Sequence, residues 1–403
     1  MMLLVVRFVV LFTLCFGLSY FLTPLMKWLA HRLGYVDKPA AHKAHQKTTP
    51  LLGGSAIILS FLAGVMLFRP MDHENQLTGI IASTVLLFIV GLIDDKMGMM
   101  PRTKLFWQAM AAAIMISYGV RIEIIDIKWI SIPLTVFWVV GITNSVNLLD
   151  NMDGLSSGVS FIICMILFFI SGFNSLYILA ILSLALAGSC LGFLRHNFPP
   201  AKIFMGDCGS LPIGFLLSAM AIIGTWREAA TLAVTLGIPI LVLGVPIFDT
   251  TLVTVTRLFN GRPVSQGGKD HSSHRLLNMG FSPRQVALIL YFIAICLGSS
   301  AIYVLESTRA QMLFVFLGIL VMAFILGIRL GRIQVDYGNS ATSRTRGKSR
   351  SATPGAKGAR KGSGKKSISG EDEGKSDDSV KNGNLNKAEE KPKPRKKSRK
   401  SLK

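Results

Sequence analysis

The sequence has 403 residues, of which 51% are hydrophobic and only 16% charged, and its formal net charge is +21. Apolar stretches long enough to cross a bilayer recur as far as about Leu330, and a soluble protein could not cover so much apolar surface. This composition excludes a soluble enzyme and predicts an all-α, polytopic integral membrane protein.

Eleven transmembrane helices are predicted along the chain. The first lacks an A-x-A-like cleavage site and is too long for the core of a signal peptide, so we expect it to be retained. The five cysteines form no CxxC pair, and four lie in apolar segments, which favours buried thiols. The spans lie near residues 3–26, 51–68, 77–93, 104–120, 130–148, 155–172, 176–194, 209–226, 229–256, 284–304 and 309–330.

The loops between these spans differ in charge. One set, counted with Arg329 and Arg332, carries 17 Lys and Arg, and the opposite set carries 5. The positive-inside rule therefore places the first set and the C-terminal tail in the cytoplasm and the N-terminus outside. Most Asp, Asn and His residues of the loops fall on the cytoplasmic side, which predicts a cytoplasmic-facing active site.

The end of the chain differs from the rest in composition. Residues 341–403 carry 20 Lys and Arg against 7 Asp and Glu, with almost no apolar residues, which is typical of a disordered segment. We predict a membrane-embedded domain at 1–335 and a disordered basic cytoplasmic tail at 336–403. The tail is expected to be a solubilising, positive-inside segment, and attraction to anionic lipid or nucleic acid is the alternative.

Two adjacent carboxylates, Asp94 and Asp95, end the third predicted span in the stretch GLIDDKMG. Like charges side by side at the end of an apolar segment cost free energy. The pair is therefore a candidate for function.

A second polar stretch, NSVNLLDNMDGL at residues 144–155, follows the fifth span. Asn144 and Asn147, like Asp150 and Asp153, are three residues apart, so each pair would share one face of a continuing helix. Such residues also cap helix ends, but capping needs only one or two of them. The stretch is predicted to contact a ligand.

A third stretch, HNFPPAKIFMGDCGSLPIGF at residues 196–215, breaks a helix at two prolines and begins a new span after Asp207. Small residues beside a helix N-terminus let backbone N–H groups approach an anion. Asp207 is either an N-cap or a hard-oxygen ligand for Mg²⁺ beside a diphosphate.

A fourth cluster occupies the loop GRPVSQGGKDHSSHRLLNMGFS at residues 261–282 and includes His271, His274 and Arg275. The two histidines have no third soft ligand beside them, so zinc is not expected. Arg262, Lys269 and Arg275 lie in the same loop as the histidines. Several cationic side chains close together suit the binding of phosphate oxygens. Upstream, Lys47 in HKAHQKTTPLLGG at residues 42–54 adds a further cation before a helix start.

Carboxylates that bind a divalent ion and cations that bind phosphate oxygens predict metal-assisted phosphoryl transfer. The sequence has no GxxxxGK[ST] loop, which excludes a P-loop ATPase. A secondary transporter is the alternative from another class, because intramembrane carboxylates and Gly/Pro breaks also mark ion pathways. A transporter would need acidic groups in mid-span, whereas these lie at one membrane face. A lipid scaffold acting through the basic tail is a further alternative.

Five motifs over residues 35–285 resemble, in order, those of the polyprenyl-phosphate N-acetylhexosamine-1-phosphate transferases, glycosyltransferase family 4. The motifs are HKAHQKTTPLLGG, GLIDDKMGMMPRTKLFWQ, NSVNLLDNMDGL, NFPPAKIFMGDCGS and the HSSH loop. The resemblance implies a bacterial inner-membrane enzyme that moves a sugar-1-phosphate from a UDP-sugar to polyprenyl (undecaprenyl) phosphate. It also implies that the enzyme needs Mg²⁺, with Mn²⁺ as a possible substitute, and that UMP is released. The lipid-linked product would initiate the synthesis of a cell-envelope polysaccharide, such as lipopolysaccharide or teichoic acid. The protein could form a homodimer, and it is not expected to bind nucleic acid.

The predicted site combines these motifs with the roles that the resemblance implies. Phe204 would stack on uracil, and His274 would contact the diphosphate. The set comprises catalytic Asp94, Asp95 and His274, metal-binding Asp207 and Asn147, and substrate-binding Lys47, Lys104, Asn144, Asn147, Asp150, Asp153, Asn197, Phe204, His271 and Arg275.

The sequence departs from the family pattern at two places. Residues 271–274 read HSSH where GlcNAc-transferring members usually have HIHH, and Asn151 stands where many members have Gly. The run of three histidines typical of the enzyme that makes lipid I is also absent. We therefore predict UDP-GlcNAc as the donor, with UDP-MurNAc-pentapeptide as the alternative.

Overall fold

The structure is a computed structural model that describes residues 2–37, 49–69, 74–123, 127–173, 176–225, 232–264, 268–333 and 335. Two parts of the sequence-based predictions lie outside these residues, namely Lys47 and the tail at 336–403.

Helices make up most of the described chain. Apolar segments form helices in a bilayer because a helix satisfies its backbone hydrogen bonds internally, where lipid offers no partner. The elements are α1 (Met2–Leu33), β1 (Val36–Asp37), β2 (Thr49–Pro50), α2 (Gly53–Leu67), α3 (Glu74–Met97), α4 (Pro101–Ser117), α5 (Lys128–Leu149), α6 (Leu155–Phe173), α7 (Tyr177–Asn197), α8 (Asp207–Thr225), α9 (Leu232–Val242), α10 (Gly244–Phe259), α11 (Ser272–Asn278), α12 (Pro283–Leu305) and α13 (Arg309–Gly331). The two strands form a short antiparallel ladder.

The predicted class of polytopic helical membrane protein is confirmed. Among the described residues, eight helices are long and apolar enough to cross a membrane. The predicted number of eleven is not confirmed, because α2 and α4 have only 15 and 17 residues. The ninth predicted span, at 229–256, is two helices, α9 and α10, that meet at Leu243. Pro246 lies in the first turn of α10, where its missing N–H removes no helical hydrogen bond.

The centre of the bundle is formed by α7 and α8. Of their apolar stretches, 83% and 89% of residues are buried, against 6% for α13. Glycines let α1 approach α7 closely, since a Cβ at Gly188 would lie 2.5 Å from the carbonyl oxygen of Phe12. Close approach at small residues is typical of helices in lipid, where apolar burial alone drives little association. The exposed apolar side chains of α13 are then left to contact lipid.

Candidate active site

A cavity of about 390 Å³ lies where several helix ends meet. Its walls come from β1, the last turn of α3, the segments after α5 and α7, the start of α8, and α11 with the loop before it. Seven of the predicted site residues are among the lining residues, and they come from four motifs that are far apart in the sequence. The cavity is lined by Asp37, Leu51, Asp95, Asp150, Asn151, Met152, Asp153, Asn197, Phe204, Met205, Gly206, Asp207, Lys269 and His274.

Asp95 links the end of α3 to the start of α8. Its carboxylate oxygens accept hydrogen bonds from the backbone N–H groups of Asp207, at 2.7 Å, and Cys208, at 3.0 Å. The first N–H groups of a helix have no partner within it, and a carboxylate also interacts well with that positive end. Asp95 therefore holds the first turn of α8, and with it Asp207, against the cavity.

Two glycines permit this contact between α3 and α8. A Cβ at Gly91 would lie 2.5 Å from the Cα of Cys208, so no larger residue fits there without displacing α8. Gly206 has a φ of +73°, and a Cβ there would lie 2.6 Å from Oδ2 of Asp95. A left-handed backbone at this position favours glycine, so both residues are explained by the approach of the two helices.

Asp207 is the centre of a charged network. Its Oδ2 lies 2.6 Å from the Lys104 ammonium group, which also forms an ion pair with the buried Asp94. Its Oδ1 accepts a hydrogen bond from Asn147 Nδ2 at 2.7 Å, and the same nitrogen donates to Ser210 at 2.7 Å. Asp94 is not among the cavity-lining residues, whereas its neighbour Asp95 is.

The loops on either side of the cavity are tied together by two polar residues. Asn197 accepts from the Gly154 N–H at 2.9 Å and donates to the Ile203 carbonyl at 2.9 Å. Asp153 accepts from the Ala201 N–H at 2.9 Å. Both residues line the cavity, and their bonds are to backbone groups, apart from one that Asn197 accepts from the Ser157 hydroxyl at 3.3 Å.

Negative charge is concentrated in this cavity. Burial raises the pKa of Asp150 well above its usual value, and the nearby carboxylates, Asp207 first among them, add to the shift. A bound cation relieves the repulsion between crowded carboxylates of this kind.

The described residues include no group of three His, Cys, Asp or Glu side chains placed to hold a metal ion. Mg²⁺ needs only one or two protein carboxylates when phosphates and water complete its shell, so Asp207 fits this ion. Asn147 turns its amide nitrogen, not its oxygen, towards Asp207 and Ser210, and it is not among the cavity-lining residues.

Asn144 is placed outside the cavity. Its side-chain nitrogen donates to Gln108 Oε1 at 2.6 Å, and Gln108 is buried between α4 and α5. Gln108 ends the motif GLIDDKMGMMPRTKLFWQ, but one amide there gives no signal of its partner. The structure does not bring Asn144 to the cavity lining.

Arg275 is likewise not among the residues that line the cavity. Its buried guanidinium donates to the carbonyl oxygens of Asp270 and Leu330, both at 2.8 Å. The last carbonyls of a helix need outside donors, so Arg275 joins α11 to the end of α13.

Arg257 forms a bidentate pair with Asp270, with both N–O distances 2.7 Å. Burial would raise the pKa of Asp270, but the bonds to Arg257 outweigh it and hold that pKa below its usual value.

The two histidines of the HSSH loop have different surroundings. His274 lines the cavity, whereas His271 is buried with its Nδ1 2.7 Å from Oδ2 of Asp249. Asp249 also accepts from the backbone N–H and the hydroxyl of Ser272, at 2.7 and 2.6 Å. Asp249 is not among the predicted site residues, although a lone carboxylate inside an apolar segment is a signal of function or of a buried partner.

The comparisons with known proteins identify the family. The family profile described as glycosyl transferase family 4 matches residues 77–225. A probable undecaprenyl-phosphate N-acetylglucosaminyl 1-phosphate transferase of Bacillus subtilis is 34% identical over 350 residues, which cover 82% of this chain and 94% of that protein. The chain belongs to glycosyl transferase family 4.

Other relatives agree with this membership of family 4. A decaprenyl-phosphate N-acetylglucosaminephosphotransferase of Mycobacterium leprae is 34% identical over 310 residues, 68% of this chain and 78% of that protein. A phospho-N-acetylmuramoyl-pentapeptide-transferase of Caldicellulosiruptor bescii is 34% identical over 221 residues, 49% of this chain and 68% of that protein. The matched family 4 region contains Asp94, Asp95, Lys104, Asn147 and Asp207, and the HSSH loop lies beyond it.

Proposed function

We propose that this protein transfers N-acetylglucosamine-1-phosphate from UDP-GlcNAc to a polyprenyl phosphate in the membrane, with release of UMP. The observation that carries the proposal is the similarity to the Bacillus subtilis transferase over 94% of that protein's length. The cavity supports it, because Asp95, Asp207 and His274 are brought together there from three separate motifs. The cavity would face the cytoplasm of a bacterial inner membrane, as the loop charges predict.

In the proposed reaction, a phosphate oxygen of the lipid attacks the β-phosphorus of UDP-GlcNAc. A new P–O bond to the lipid phosphate forms, the bond from the β-phosphorus to the UMP oxygen breaks, and the electron pair leaves with UMP. Two anions must meet, so neutralising charge is the main demand on the protein. Lys104, beside Asp207, and Lys269, in the cavity wall, are the cations placed for this.

A divalent ion would add to this neutralisation. Asp207 would hold Mg²⁺, which would supply positive charge to the diphosphate. Lys104 and the amide nitrogen of Asn147 meanwhile fix the two oxygens of Asp207 in place.

The two adjacent carboxylates would act differently. Asp95 lines the cavity, but its oxygens hold the N-terminus of α8. This bonding favours direct attack by the lipid phosphate over a covalent phosphoryl intermediate on Asp95, since such an intermediate would release the first turn of α8. Asp94 would act through Lys104, with which it pairs.

The second candidate donor is UDP-MurNAc-pentapeptide, because a relative of that specificity also matches the chain. That match covers only 49% of this chain, against 82% for the Bacillus subtilis relative. Purified protein should be supplied with undecaprenyl phosphate, Mg²⁺ and, in parallel, UDP-GlcNAc, UDP-GalNAc or UDP-MurNAc-pentapeptide. We expect lipid-linked product from UDP-GlcNAc at the highest kcat/KM. A preference for the pentapeptide substrate would overturn the assignment of the donor.

A further inference from the structure

The two departures from the family pattern contact each other. Ser273, in the HSSH loop, donates its hydroxyl proton to Oδ1 of Asn151 at 2.6 Å. This bond joins the segment after α5 to the start of α11, and both Asn151 and His274 line the cavity. A glycine at position 151 would offer no side-chain oxygen for such a contact.

The directions of the hydrogen bonds around Ser273 follow from which atoms can donate. Asn151 Nδ2 donates to the Leu148 carbonyl at 2.7 Å, so the amide oxygen of Asn151 is the atom that faces Ser273. That oxygen only accepts, so it takes the one hydroxyl proton of Ser273. His274 Nδ1 lies 3.3 Å from Ser273 Oγ, which can then only accept, so Nδ1 carries the imidazole proton. The other ring nitrogen, Nε2, is left as an acceptor.

His274 is also neutral. Burial lowers its pKa to about 4, and the neighbouring His271 and Lys269 act in the same direction. Asp249 and Asp270 act in the opposite direction without outweighing them. A neutral imidazole with a free acceptor nitrogen repels a phosphate oxygen and is complementary to a hydroxyl group.

We propose that Asn151 and Ser273 are a positioning pair that fixes the proton of His274 on Nδ1, so that Nε2 accepts a hydrogen bond from a hydroxyl group of the UDP-sugar. The inference rests on the proposed function and replaces the diphosphate contact that the family resemblance implies for His274. His271 serves as an internal reference, because Asp249 holds its proton on Nδ1 by a separate contact.

The first test reads the tautomer without any substrate. In protein labelled with ¹⁵N-histidine, the imidazole shifts distinguish Nδ1–H from Nε2–H, and the His274 signals are assigned by their loss in His274→Gln. We expect the Nδ1–H form at pH 7.5, and in Ser273→Ala we expect a mixture at His274 with His271 unchanged. An Nε2–H or charged His274 in the wild type, or no change in Ser273→Ala, would overturn the inference. Asn151→Gly removes the same bond from the other side if Ser273→Ala does not fold.

The second test uses side chains that imitate one part of histidine. Gln offers an amide oxygen near the position of Nε2, Asn offers one near Nδ1, and Lys offers a cation. We expect the KM for UDP-GlcNAc to be about tenfold lower in His274→Gln than in His274→Asn or His274→Lys, in keeping with one neutral hydrogen bond. Better performance by His274→Lys would show that a cation is needed there, and equal values for all three would also contradict the inference. Because the tautomer is read separately, a failure of the transferase assay would count against the proposed function alone.

The pair itself is tested by a double-mutant cycle. Asn151→Gly and Ser273→Ala break the same hydrogen bond, so each should raise the KM for UDP-GlcNAc and the double variant should raise it no further than the larger single effect. The KM for undecaprenyl phosphate should stay unchanged. Additive effects, or an equal rise for both substrates, would indicate a structural role and contradict the pair.

Discussion

Asp94 and Asp95 are adjacent in the sequence and differ in every contact. Asp94 is buried in an ion pair with Lys104, and Asp95 accepts the first N–H groups of α8. Successive residues of a helix point about 100° apart, so adjacent side chains face different neighbours. The sequence predicts a function for the pair, because charge at a span end costs free energy. It does not reveal which partner each carboxylate has, since that depends on α4 and α8.

The Lys104 ammonium group is expected to be essential. Lys104→Met would leave Asp94 and Asp207 facing each other without their shared cation, and we expect kcat to fall by about 10²–10³-fold, as for other lost transition-state charges. Lys96→Met is the matched control, because Lys96 is exposed near the end of the neighbouring helix α3. Steady-state kinetics on both variants would check this, and equal activities would contradict the role of Lys104.

His274 should make stability depend on pH. Its folded-state pKa of about 4 is below the value near 6.5 of an unfolded histidine, so the unfolded chain binds more protons in acid. The stability it contributes is full above about pH 6.5 and decreases as the pH falls towards 4, by about 2 kcal/mol between pH 6.5 and 5 at most. The pKa of Asp270 is lowered, so the stability that Asp270 contributes is lost only at a pH below the usual pKa of an aspartate. Asp270 therefore does not affect the interval between pH 6.5 and 5.

This dependence can be measured from thermal unfolding in detergent. The melting temperature of the wild type should fall more between pH 7.5 and pH 5 than that of His274→Gln, which has no titrating group at this position. Parallel decreases in the two proteins would show that His274 does not titrate as described.

At the scale of the helices, the sequence predicts where most segments lie because apolar length is a local property. It does not predict that α9 and α10 are separate, because both are apolar and the break at Leu243 has no polar residue to mark it. The sequence also does not predict which helices contact each other. Gly91 lies in the apolar stretch before Asp94, and only the structure shows that Cys208 of α8 packs against it.

Gly91 is expected to set the distance between α3 and α8. Gly91→Ala would place a methyl group against the first turn of α8. We expect the free energy of unfolding to fall by about 1–3 kcal/mol, as in other overpacked sites, and the activity to fall with it. Gly141→Ala, in the interior of α5, is the control, because nothing lies within 4 Å of a Cβ there. Melting temperatures of the two variants test this, and a stable, active Gly91→Ala protein would contradict the close approach.

At the scale of the whole molecule, charge asymmetry predicts the orientation in the membrane. Lys128 and Asn260 are exposed residues at opposite predicted sides. In a Cys296→Ser background, Lys128→Cys should react with an impermeant maleimide added to intact cells, and Asn260→Cys should react only after the membrane is opened. Labelling of Asn260→Cys in intact cells would place the cavity outside the cytoplasm and contradict the orientation.

The convergence of the motifs is predictable from their order in the sequence, and seven of their residues line one cavity. Arg275 and Asn144 were placed in the site from motif position alone, and the structure instead gives them helix-joining contacts. Asp249 and Gln108 were missed because their importance comes from partners, His271 and Asn144, that are distant in sequence.

The proposed reaction transfers a sugar-1-phosphate, rather than a sugar alone, to lipid. The most direct measurement uses purified protein in vesicles that contain undecaprenyl phosphate, with Mg²⁺ and UDP-GlcNAc carrying ³²P at the β-phosphorus. We predict that ³²P appears in the lipid fraction with one UMP released per lipid product, and that Asp207→Asn abolishes both. Release of UDP with unlabelled lipid, or no lipid product from folded protein, would rule out this reaction.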